Sequence, residues 1–262
     1  MNHSKSTLVC IFFIFFNVNA QKENIIVSDS ITIDLKPNKK NKYQPIQFHL
    51  TLKNMHLWRG FRSTDEALST AELYYISKDK NFTAGFWSGV GFAGNYTEFD
   101  YNISYNYENW TFSIWDINNY TNFPDADIFN YDIEDTSRFI DVLVNHKFDK
   151  VPVQLTWSTI VLGRDTYIDS NGNLKNAFSN YVEAGYTLFN NRNSDLSFFV
   201  GAAFSFKTDT NFYGSRTGIS NIELTYSKTV SLFKKIYVPV SAKAMWNNLQ
   251  EYGALEVAVS LF

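Results

Sequence analysis

Cysteine is all but missing from this sequence: there is one in 262 residues, Cys10, and it lies inside an apolar N-terminal stretch. Removal of that stretch on export leaves a mature chain with no thiol, which excludes disulfides and cysteine-ligated metals. A basic excess is missing too. The formal charge is −3, and loss of Lys5 with the leader moves it to −4, so nucleic acid is not an expected partner. No apolar run of about 18 residues follows the leader, which excludes a transmembrane helix.

Residues 1–20 have the form of a secretory signal, with Lys5, the apolar run Leu8 to Phe16, and Val18-Asn19-Ala20 before Gln21. A lipoprotein box ending at Cys10 is the alternative, but the apolar run continues past the cysteine instead of preceding it. The sequence divides into a signal peptide (1–20), a segment at 21–44 and a domain at 45–262. The middle segment holds Ile31 to Leu35 and the basic Lys36 to Lys42, and reads as a periplasmic tail or a piece folded into a lumen.

Rings are abundant where charge and thiols are not. Aromatic content is 18%, with 24 Phe, 16 Tyr and 6 Trp, yet mean hydropathy is −0.24. Two interfacial girdles of a membrane barrel account for that combination better than a soluble core. From residue 46 the chain alternates with period two in about twelve segments: 46–61, 67–77, 81–92, 97–107, 109–118, 137–148, 151–162, 177–190, 195–206, 218–231, 235–246 and 253–262. The even number and lengths near 9–11 residues predict an all-β transmembrane antiparallel barrel. Connections alternate in length. Lys78 to Lys80, Glu108-Asn109, Asp149-Lys150, 190–194 and 232–235 are short, whereas 119–136, 163–176, 207–217 and 247–252 are longer and rich in Asn, Asp and Gly. The long ones are expected outside the cell and the short ones in the periplasm.

Alternation also assigns faces. Phe99, Tyr101, Ile103, Tyr105 and Tyr107 share an apolar row, as do Phe198, Val200, Ala202, Phe204 and Phe206; Asp100, Asn102, Ser104 and Asn106 lie opposite the first. In the last segment Leu255, Val257, Val259 and Leu261 form the apolar row, and Phe262 falls on the other, at the expected periplasmic rim. Pro152 and Pro239 each remove a ladder donor, which predicts a bulge or irregular pairing.

At Leu57-Trp58-Arg59-Gly60-Phe61, then Ala67 to Tyr75 and Phe82 to Ser88, the chain resembles the TorF-type putative porins, small bacterial outer-membrane barrels. In that family an aromatic-Arg-Gly element ends the first strand and the third strand carries an Ala-Gly-x-Trp element. Arg62 and Asp65-Glu66 depart from the family's polar stretch after the Gly. The resemblance covers about forty residues. It implies a barrel and a pore.

Arg59 shares parity with Thr51 and Lys53, so it is expected to point into the lumen from the first strand, with Glu72, Glu183 or Glu223 as its partner. The arrangement reads either as a charged constriction or as an ion pair bracing the wall. The acids Asp125, Asp127, Asp132, Glu134 and Asp135 form either an oxygen-ligand cation site or a solvated loop; no calcium-loop spacing is present. His146 and Ser158 fall on neighbouring segments, but Asn145 points away from His146 and no third group orients the imidazole, so no enzyme is expected. His49, His56 and His146 have no metal-ligand spacing, and nothing points to a cofactor. Triplets such as Asn95-Tyr96-Thr97 and Asn109-Trp110-Thr111 follow from an Asn-rich composition.

The expectation is a monomeric barrel in the outer membrane of a Gram-negative bacterium. Its partners would be lipid, lipopolysaccharide and the barrel assembly machinery, and small polar solutes would cross by passive or weakly selective diffusion. A closed structural or surface-binding barrel acting through its external loops is the alternative.

Overall fold

The computed structural model describes residues 43–122, 127–232 and 236–261. The expected leader, most of the 21–44 segment, Asp125 and Phe262 lie outside the described residues. Among the described residues, sixteen strands follow in chain order: β1 (Ile46–Lys53), β2 (His56–Trp58), β3 (Phe61–Thr64), β4 (Leu68–Ile76), β5 (Phe82–Gly91), β6 (Thr97–Tyr107), β7 (Trp110–Asn118), β8 (Arg138–Lys147), β9 (Val153–Gly163), β10 (Thr166–Ile168), β11 (Leu174–Asn176), β12 (Ser179–Asn190), β13 (Ser194–Ser205), β14 (Gly218–Leu232), β15 (Ile236–Asn247) and β16 (Tyr252–Ser260).

Twelve of them close into one antiparallel barrel in the order β1-β16-β15-β14-β13-β12-β9-β8-β7-β6-β5-β4, and β2–β3 and β10–β11 are separate two-stranded hairpins. Closure is made by Thr51↔Ser260, Leu52↔Val259 and Lys53↔Ala258, so the barrel leaves no edge strand to be satisfied by other chains. The alternation places side chains as the sequence predicts. Phe86, Ile103, Phe112, Leu155, Trp157, Phe198, Leu224 and Leu255 are exposed on the outer face, while Thr83, Asp100, Asn102, Ser113, Asn145 and Ser241 are buried inside.

The first segment is not one strand. β1 stops at Lys53, and 56–64 turn inward as the β2–β3 hairpin, which keeps a pleated period and therefore reads as a continuation of β1. Asn54 makes the switch: its backbone N–H donates to Val257 O, its Nδ2 donates to Leu255 O, and its Oδ1 accepts from Val257 N–H. One side chain thus replaces a strand partner for β16 at the seam.

The two prolines behave differently. Pro152 precedes β9 and accepts from Thr187 N–H, beside the register shift between Thr187 and Phe189. Pro239, however, pairs with Thr229 without any register shift, against expectation. Thr229 N–H donates to Asn193 O on its other side, so the Thr229/Pro239 pair is one that exchanges no hydrogen bonds. The donor that Pro239 lacks would face β16, whose pairing with β15 begins only at Val240↔Val259.

Candidate functional site across the lumen

The lumen is crossed by the β2–β3 hairpin. Arg59 and Gly60 form its two-residue tip between the paired Trp58 and Phe61, with φ of 49° and 87°, the positive values a tight hairpin turn of this kind requires. Gly60 is fixed by contact as well as by φ, since a Cβ there would stand 2.0 Å from Ser220 O on β14. Its carbonyl accepts from Asn247 Nδ2 and from Tyr252 OH, both at 2.9 Å.

At the base of the hairpin, Leu57 N–H donates to Glu256 Oε2 at 2.9 Å, and Lys53 Nζ lies 3.6 Å from Glu256 Oε1. His56 stacks on Trp87 with ring centroids 5.3 Å apart. The hairpin is therefore tied to β16 and β5 at its root and to β14, β15 and the start of β16 near its tip.

Arg59 completes the crossing. Its Nη2 donates to Asp141 Oδ2 at 2.6 Å, and its Nη1 donates to Ser158 Oγ at 2.7 Å and to Tyr213 OH at 2.8 Å. Asp141 is on β8 and Ser158 on β9, and β9 stands six strands from β1 in either direction around the barrel. The guanidinium also lies over the Trp58 ring at 4.6 Å. A second loop, 206–217, folds in above it: Phe212 N–H donates to Ser179 Oγ, and Tyr213 packs against Trp58, Phe61 and Tyr181 at 5.4–5.9 Å between centroids. Phe139 on β8 meets Phe212 at 4.8 Å, with Ile117 and Ile160 beneath.

The expected acidic partners stand elsewhere. Glu72 is buried on the inner face of β4, opposite His49 on β1. Glu183 on β12 accepts from Tyr181 OH and from Asn221 Nδ2 at 3.2 Å. Glu223 on β14 accepts from Thr225 Oγ1 at 2.7 Å, and Lys243 Nζ lies 3.9 Å away. All three acids face inward, as their parity requires, but Arg59 takes Asp141 instead. The reason is its position: Arg59 sits on the hairpin tip and not on the β1 wall.

No protein-family model and no curated protein matches the chain. Similar outlines occur among solved structures. One is Wzi of Escherichia coli, described as an outer-membrane protein involved in group 1 capsule assembly and a carbohydrate-binding β-barrel (TM-score 0.36, 11% identity, 82% of this chain and 55% of that one). Others are a bacterial polysaccharide outer-membrane secretin (0.33, 9%, 82% and 95%) and OmpF of Salmonella typhi in complex with daunomycin (0.39, 7%, 82% and 96%). The chain spans about half the length of the first of these, and no residue role is carried over from any of them.

Several residues of the crossing were not singled out from sequence. Asp141 is the one acid in the otherwise apolar stretch from Phe139 to Val144, and an inward acid among hydrophobes signals a buried partner. Arg164, next to the barrel end of β9, lies over Phe139 at 5.5 Å and is electrostatically coupled to Glu98 and Asp100. Ser158 is committed to Arg59, whereas His146 lies on the outer face against Trp110 at 4.2 Å, so the two do not meet. In the 127–135 stretch, Asp127 and Asp132 accept backbone N–H groups of their own loop. Among the described residues, no group of three or more His, Cys, Asp or Glu side chains is arranged to hold a metal.

Proposed function

We propose that this chain is an outer-membrane barrel, closed at rest, that acts at the cell surface through its long loops. The observation that carries this reading is the Arg59–Asp141 pair at 2.6 Å, made across the lumen within the packing of Trp58, Phe61, Phe212 and Tyr213. A diffusion pore needs a continuous water path, and here the section between facing walls is occupied by aromatic rings and a buried ion pair. The apolar outer face, the even strand number and the alternation of long and short connections support insertion with the short turns on the periplasmic side. Lipid, lipopolysaccharide and the assembly machinery are the partners this placement supplies. The long-loop end exposes Phe129 (74%) and Ile168 (71%), which suits contact with another surface. The TorF-type likeness falls on the β2–β3 hairpin and on β4 and β5.

Planar-bilayer recording of the refolded protein tests the reading. Wild type should show no steady conductance, and deletion of 55–64 with a short Gly-Ser bridge should create one. Steady conductance of the unmodified protein overturns closure.

That outcome supports the second reading, a porin-like channel for small polar solutes with the hairpin as constriction. What favours it is the inward charge on Glu72, Glu183, Glu223 and Lys243, which a purely structural lumen does not need.

A further inference from the structure

Glu183 and Glu223 stand on β12 and β14, separated by β13, yet both reach the same amide. Asn221 Nδ2 lies 3.2 Å from Glu183 Oε2 and 3.5 Å from Glu223 Oε2. The convergence depends on β13 presenting Gly201 between them: Glu183 pairs with Gly201, and Gly201 with Asn221. A Cβ at Gly201 would stand 2.1 Å from Tyr181 OH, so only a bare backbone leaves room for the phenol and the carboxylates.

The charge around this point does not balance. Among the described residues, Lys243 is the cation within ion-pair reach of the two carboxylates, at 3.9 Å from Glu223, beyond hydrogen-bond range. Arg59 is already matched by Asp141. The amide is also over-subscribed, with Tyr181 OH, Glu183 and Glu223 all drawing on one NH₂ group. Its oxygen, by contrast, has no hydrogen-bond partner, although Asn221 is 1% exposed. The amide thus turns its NH₂ toward two carboxylates that share one lysine, which leaves one negative charge in excess, and keeps a hard oxygen donor, buried and unpaired, at its other end.

We propose that Glu183, Glu223 and Asn221 form a site for one monovalent alkali cation, Na⁺ being the probe. A flip of the Asn221 amide carries Oδ1 to where Nδ2 now stands, between the two carboxylates, and Tyr181 OH and Thr225 Oγ1 lie beside them as neutral oxygens. One positive charge neutralises the site, whereas a divalent ion leaves an uncompensated excess in a buried wall. The site holds whether or not the lumen conducts, because it belongs to the β12–β14 wall and not to the hairpin.

The test uses the refolded full-length mature protein in detergent. Its unfolding midpoint is measured in NaCl and in N-methyl-D-glucamine chloride at equal ionic strength, together with ²³Na line broadening. Wild type should be more stable in Na⁺, with an increment that grows with the logarithm of Na⁺ concentration. Glu183→Gln and Glu223→Gln should each lose that increment and the associated broadening, leaving the acidic 127–135 loop intact as an internal control. Equal wild-type midpoints in the two salts overturn the proposal, and a Glu183→Gln protein stabler than wild type in both identifies a proton as the neutralising charge. The wild-type comparison decides the matter even if a variant fails to refold.

Discussion

Arg59 and Asp141 meet at 2.6 Å although 82 residues of chain separate them, one at the tip of an inward hairpin and the other on the opposite wall. Asp141 is 0% exposed, and its Oδ1 has no hydrogen-bond partner, so the carboxylate depends on Arg59 for its charge balance. The pair joins two parts of the molecule that the barrel ladder does not connect.

Replacing Arg59 with Ala should therefore cost about 3–5 kcal/mol, the range for stranding one member of a buried pair. Arg59→Met combined with Asp141→Leu should cost less than Arg59→Ala alone, since no charge is left buried. Urea unfolding of the refolded proteins measures both, and a loss of only about 0–1 kcal/mol for Arg59→Ala would show a solvent-screened pair.

Gly60 carries the same strut by a different interaction. Ala at this position meets Ser220 O at 2.0 Å and must hold a φ of 87°, so the hairpin has to retreat from β14. A loss of about 1–3 kcal/mol is expected from strain and overpacking. The barrel ladder itself should survive, visible as unchanged β-structure by circular dichroism with a lowered unfolding midpoint.

The two faces should answer charge differently. Lys at Ile103, which is outward and 47% exposed, should cost about 2–4 kcal/mol once lipid surrounds it. The inward neighbour Asn102 should tolerate Lys better. Ala203 also faces inward, and parity alone would rank it with Asn102, but it is 0% exposed and packs with Tyr181 and Tyr213. Its substitution by Lys should therefore fail as badly as Ile103→Lys. Equal tolerance at Asn102 and Ala203 would mean that the 206–217 loop does not enter the barrel in the membrane.

The barrel was legible because period-two alternation is imposed by the pleat itself, so 97–107 coincides with β6 to the residue and the later wall strands lie within two residues of their expected bounds. The hairpin was misread for the same reason. His56 to Phe61 keeps the strand period while leaving the wall, and the signal that separates them is the Arg59-Gly60 turn flanked by two rings. Inward acids were also legible from parity. Which of them Arg59 selects was not, because a hairpin that crosses the lumen reaches residues on the opposite wall that no spacing along the chain relates to it. The same holds for Glu183 and Glu223, whose approach depends on Gly201 between them.

The β10–β11 hairpin should open on acidification. Asp169 Oδ1 accepts the backbone N–H groups of Asn171 and Asn173, both at 2.9 Å, and these bonds hold its carboxyl below the usual range. A depressed folded value stabilises the ordered turn above the ordinary carboxylate range, and that contribution disappears as pH falls through the depressed value. Amide exchange at Asn171 and Asn173 should accelerate across that acidic window in wild type, while Asp169→Ala should show fast exchange at all pH values. A pH-independent wild type would show that the carboxylate does not hold the turn.

Topology provides the sharpest check on both orientation and closure. Epitope tags at Ser170 and Asp209 should be reached by antibody on intact cells, because both positions are exposed at the long-loop end. Tags at Asp79 and Arg192, in short turns at the opposite end, should be reached only after the outer membrane is opened. Loop length alone would add residue 212 to the accessible set. The structure places it inside instead, where Phe212 donates its N–H to Ser179 and packs against Phe139. A cysteine at 212 should therefore resist a membrane-impermeant thiol reagent in the wild-type background and react once Arg59→Ala has loosened the strut. Reaction at 212 equal to that at 209 in the unmodified background would mean that the loop lies over the mouth and leaves the lumen open. Labelling at 79 without labelling at 170 would invert the barrel in the membrane.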